Sequence, residues 1–110
     1  MDELTQKKMI VEIGQRLWQQ GFVAANDGNI SARISDNEIL TTPTGISKGF
    51  MKEDMIIKMN LQGEILSENP GYKPSSEVKM HIEVYRQRLD VHGIVHSHPP
   101  YATSFAVIGE

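Results

Sequence analysis

Two short turns limit what this chain can fold into. Asn29 to Ile34 and Glu38 to Thr42 read as strands, and only Ser35-Asp36-Asn37 separates them. Met55 to Asn60 and Glu64 to Ser67 read as a second hairpin across Leu61-Gln62-Gly63. A turn of three residues cannot join parallel neighbours, so the sheet must be antiparallel. Before it, Met9, Ile10, Ile13 and Leu17 recur at helical spacing, and Gly21 is a natural stop. The spacing predicts a helix over Leu4 to Gln20. Asn26-Asp27-Gly28-Asn29 then forms a turn cluster. After Gly71 to Pro74 a second helix is expected, with Val78, Ile82, Tyr85 and Leu89 as its apolar stripe. A strand from Val91 to His98 follows, and then a third helix from about Pro100. Helices flanking an antiparallel sheet make an α/β sandwich, either segregated or three-layered.

With 110 residues, the chain suits one small domain. Its 39% hydrophobic and 23% charged residues suit a folded protein. A net charge of -3 argues against a global basic field for nucleic acid or a membrane surface. The absence of cysteine excludes disulfides, thiolate zinc sites and cysteine nucleophiles, and is compatible with the cytoplasm. Met1-Asp2-Glu3 is acidic and no long apolar run follows, so no signal peptide or transmembrane helix is expected. The chain ends just after the apolar Phe105-Ala106-Val107-Ile108, so it is expected to be the N-terminal part of a longer protein.

The chemistry centres on His96-Ser97-His98-Pro99. Histidines at i and i+2 of a strand share a face and can grip one metal ion at roughly 2.0–2.1 Å per bond. His92 has the same parity but would lie about 13 Å from His96 on an extended strand, too far for one ion. It is expected at the surface or core edge. His81 falls one turn after Glu77 on the same helix face; it could join the site, but packing is the favoured expectation. Glu77, in the first helical turn, has two open readings. One is a helix-dipole or capping effect worth ~0.3–1 kcal/mol. The other is a general acid/base beside the metal. Ser75 and Ser76 open the same helix, where one caps it and free N–H groups can bind phosphate. Gly28-Asn29 and Thr44-Gly45 are two further turns with accessible N–H groups. Together these segments suggest a metal site with an anion pocket beside it. Lys48 and Lys73 are expected in solvent.

Asn26-Asp27-Gly28-Asn29-Ile30-Ser31, Thr42-Pro43-Thr44-Gly45, Pro74-Ser75-Ser76-Glu77 and His96-Ser97-His98 resemble, in order, four N-terminal motifs of the class II aldolase/adducin family. The resemblance covers nearly the whole chain, with L-fuculose-phosphate aldolases as the nearest type. It implies a three-layer α/β/α sandwich with a mainly antiparallel central sheet, of which residues 1–110 are the N-terminal portion of a single domain. It implies that Gly28, Asn29, Thr44, Gly45, Ser75 and Ser76 bind the substrate phosphate, that Glu77 is the catalytic acid/base, and that His96 and His98 bind zinc. One Zn2+ per subunit is implied, with Mn2+ or Co2+ also suited to these nitrogen ligands. In family members a third histidine and a proton-donating tyrosine lie further along than Glu110.

The implied reaction cleaves a ketose 1-phosphate to dihydroxyacetone phosphate and an aldehyde, in a cytoplasmic homotetramer. Related epimerases tend to have aspartate at the position of Glu77. Related methylthioribulose-phosphate dehydratases often have alanine at that of Ser76. Adducin-like members, which are binding modules, lack the two histidines. Ser76-Glu77 with His96 and His98 therefore favours an aldolase. JAMM-type isopeptidases also place a glutamate before His-Ser-His-Pro, but they need a serine and an aspartate where this chain has Ala106 and Gly109.

Overall fold

The computed structural model describes residues 2–20, 28–97 and 104–109. Helix α1 spans Glu3–Gln19, and Asp2 caps it by accepting from Thr5 N at 2.7 Å. Strands β1 (Asn29–Ser35) and β2 (Glu38–Thr41) form the first hairpin. A 3-10 turn at Glu53–Met55 leads into β3 (Ile57–Asn60). Helix α2 (Val78–Gln87), β4 (Val91–Ser97) and β5 (Ser104–Gly109) complete the described chain. The five strands lie in the order β3-β2-β1-β4-β5. Every neighbouring pair is antiparallel.

Two helices on opposite faces make three layers. Ile30 and Leu40 point to one face, where they meet Ile10 of α1 with Met51 and Ile56. Ile39, Ile57, Met59 and Ile94 point to the other, where Val78, Ile82 and Tyr85 of α2 cover them. Burying each such aliphatic side chain contributes roughly 1.5–3 kcal/mol. Gly14 lets α1 sit close: a Cβ there would come within 2.7 Å of the Lys48 carbonyl oxygen.

Four expectations need correction. Glu64 to Ser67 does not form a strand; only an isolated bridge, Met59↔Ile65, survives. The Asn60 carboxamide takes the turn instead, accepting from Gln62 N and Glu64 N. The Ser67 hydroxyl accepts from Lys58 N where a ladder carbonyl would. Where a third helix was expected from Pro100, residues 104–109 form β5 on β4, and residues 100–103 lie outside the described chain. A short apolar run has no periodicity to separate strand from helix. Leu89 is 77% exposed because α2 ends at Gln87 and Arg88 turns extended. Lys48 is buried against Gly14 rather than solvated, whereas Lys73 is exposed as expected.

Candidate active site

The α2 face of the sheet carries a polar seam. In β1, Asn29, Ser31 and Arg33 alternate with the apolar residues and so share a face. All three are buried. Above them run Glu77, His81 and Tyr85, spaced four apart along one side of the helix. The Ser31 hydroxyl lies 2.6 Å from His81 Nδ1 and 2.8 Å from the Tyr85 hydroxyl. The Arg33 guanidinium sits 5.1 Å from the Tyr85 ring centre and donates to the carbonyls of Val91, Tyr85 and Asp36.

Glu77 and His96 meet at the open end of this seam. Glu77 is the N-cap of α2, yet its carboxylate makes no capping bond. Its Oε2 contacts His96 Nδ1 instead. The carboxylate therefore does not cap α2 by a hydrogen bond. His96 pairs across the sheet with Asn29, which brings the two residues to one face. A carboxylate behind an imidazole is the arrangement that commonly orients a metal-binding histidine. The pair therefore suits a divalent ion at the other ring nitrogen. His98 lies outside the described residues. Among the described residues no group of three or more His, Cys, Asp or Glu is placed to hold a metal. His92 is exposed.

The three turn segments are drawn together by hydrogen bonds. Asn29 Oδ1 accepts from the hydroxyls of Thr41 (3.1 Å) and Thr42 (2.6 Å). Thr42 also accepts from Ile30 N. Pro43 bridges to Pro74, and Thr44 N donates to Lys73 O at 2.8 Å. This fixes Thr44-Gly45 beside Ser75-Ser76. The Thr44 N–H is thus used by Lys73. Gly28 and Gly45 both have positive φ, 92° and 78°, which favours glycine there. Ser75 Oγ accepts from Glu77 N, anchoring the start of α2. Asn26 and Asp27 lie outside the described residues.

Burial favours the neutral forms of His81 and Tyr85. Burial pushes the His81 imidazole down to about 4, and the nearby His96 adds to this. Burial raises the Tyr85 phenol, against the opposing effects of Ser31 and Arg33. Sequence reasoning missed Ser31, Arg33 and Tyr85 as polar partners, and favoured packing over a site role for His81. The available signal was a polar series at i, i+2, i+4 in β1 matched by one at i, i+4, i+8 in α2.

Residues 8–110 match the sequence model of the class II aldolase and adducin N-terminal domain. The chain belongs to this family. It is 32% identical over 108 residues to the 3-oxo-tetronate 4-phosphate decarboxylase of Haemophilus influenzae, covering 98% of this chain and 50% of that protein. It is 36% identical over 104 residues to the L-fuculose phosphate aldolase of Methanocaldococcus jannaschii, covering 94% and 55%. The crystal structure of YgbL from Klebsiella pneumoniae, described as an aldolase, epimerase or decarboxylase, superposes with a TM-score of 0.84 at 35% identity. That match covers 92% of this chain and 47% of YgbL. The chain thus spans about half the length of the curated relatives it matches.

The three-layer sandwich expected from the family motifs is the fold observed. No helix among the described residues is long and apolar enough to cross a membrane.

Proposed function

We propose that the whole protein is a metal-dependent lyase that breaks a carbon–carbon bond of a small sugar phosphate. The observation that carries this reading is the Glu77–His96 contact, set beside the linked turns at Gly28-Asn29, Thr44-Gly45 and Ser75-Ser76. Zinc is the proposed ion, with Mn2+ or Co2+ as substitutes, and His96 and His98 are its proposed ligands. When bound, such an ion supplies a Lewis acid for the substrate's carbonyl and hydroxyl oxygens. The turns hold the phosphate through backbone N–H groups, the Thr44 hydroxyl and the serine hydroxyls, which fixes the substrate's position. Glu77 moves the proton at the reacting carbon. Cytoplasmic location and a homotetrameric assembly belong to this reading through the family likeness alone.

The first substrate reading is a ketose 1-phosphate of the L-fuculose 1-phosphate type. Cleaving its C3–C4 bond releases an aldehyde and leaves the enediolate of dihydroxyacetone phosphate, which a proton completes. A second reading is favoured by the decarboxylase that matches 98% of this chain. Loss of CO2 from a 3-oxo acid 4-phosphate leaves the same enediolate. The same phosphate pocket and the same proton donor serve both, and only the departing group differs.

Offering the whole protein both substrates and identifying the co-product tests the choice. Aldehyde release supports the aldolase, and CO2 release the decarboxylase. Glu77→Gln should cut turnover by ~10²-fold or more in either case while largely keeping the metal. Normal turnover in that variant would refute the acid/base role.

A further inference from the structure

We propose that His81 is a positioning residue for the Glu77–His96 pair, held at one ring edge by Ser31, which Tyr85 holds in turn, so that its other edge serves that pair. The proposal rests on the reading of the site as a metal-dependent lyase. His81 lies one turn after Glu77 on the same side of α2 and is fully buried. Its Nδ1 is committed to Ser31, which is held in turn by Tyr85. Arg33 lies over the Tyr85 ring and is tied by three carbonyls to β4, α2 and the β1–β2 turn. The ring is thus anchored through three residues of two layers.

With Nδ1 fixed on Ser31, the opposite nitrogen, Nε2, is the atom that can act at the Glu77–His96 end. His96 is near enough to act on His81 electrostatically. Filling this volume needs no imidazole, since an apolar side chain would pack there without the cost of burying two ring nitrogens. Groups that orient metal ligands from behind change metal affinity by about 10–100-fold when removed.

The test is Co2+ titration of the whole protein, read by the visible absorption band of the bound ion, with thermal melting as a control on folding. His81→Asn keeps a polar atom near the Nδ1 position, and His81→Gln keeps one near Nε2. The proposal expects His81→Gln to bind Co2+ within about threefold of wild type. It expects His81→Asn to bind at least 10-fold more weakly, with a shifted band. If the two variants bind alike, the ring only fills space and the proposal is overturned.

Should both fail to fold, Ser31→Ala leaves the ring in place without its anchor. A weaker, shifted band is then expected, and a band and affinity identical to wild type would overturn the proposal. A wild-type protein that binds no Co2+ overturns the metal reading and this inference with it. Co2+ binding without any lyase activity overturns the lyase reading and leaves the positioning role to be judged on the variants' spectra.

Discussion

At the scale of single residues, His81 makes stability depend on pH. Its folded value of about 4 lies below the 6.5 of an exposed histidine, because burial disfavours the charged ring. Between those two values the unfolded chain binds more protons than the folded one. Its contribution is therefore complete above about pH 6.5 and is lost as pH falls toward 4. The full loss is about 3 kcal/mol, with about 2 kcal/mol of it gone by pH 5. Urea unfolding at pH 7.5 and pH 5 should show this drop, and His81→Gln should remove most of it. An unchanged slope in the variant would mean that His81 charges in the folded state. Glu77 and His96 were legible as candidates because their motifs are local. The seam was not, because the Ser31–His81 and Ser31–Tyr85 bonds join residues 50 and 54 positions apart. Asn29 was read as a phosphate residue, and the fold also uses it to hold two threonines in place.

At the scale of elements, α1 lies close against the segment after β2. Alanine is favoured over glycine within a helix by about 1 kcal/mol. At Gly14 the added Cβ would meet the Lys48 carbonyl oxygen and Met51 Cε, each at 2.7 Å. The methionine end can move, but the carbonyl belongs to the backbone. Overpacking of this kind costs about 1–3 kcal/mol, which outweighs the propensity gain. Gly14→Ala should therefore lower the melting temperature, and a rise would contradict the packing described.

Both described helices and the β1–β2 hairpin were legible, because amphipathic spacing and short turns have distinctive periods. The Glu64 to Ser67 strand was misread because side chains interrupt the ladder: Asn60 N still donates to Glu64 O and Leu66 N to Lys58 O, but the Asn60 and Ser67 side chains take the amides of Gln62, Glu64 and Lys58. β5 was misread because its partner, β4, cannot be inferred from the run Phe105 to Ile108 alone.

At the scale of the whole molecule, the sheet order explains how segments distant in sequence come together. β4 inserts beside β1, so His96 comes next to Asn29, although 66 residues lie between them in sequence. α2 then crosses the same face and delivers Glu77. The turn after β2 is pinned to the segment before α2 by the Pro43–Pro74 bridge. Order along the chain revealed the four motifs, while their convergence depends on this crossover. The relatives it matches are about twice as long as this chain.

The most direct measurement follows dihydroxyacetone phosphate release by the whole protein from a panel of ketose 1-phosphates and 3-oxo acid 4-phosphates, with and without a chelator. The account predicts release from at least one substrate, abolished by the chelator and restored by Zn2+ or Co2+. Metal-loaded protein that releases none from any of them, or release that the chelator leaves untouched, would contradict it.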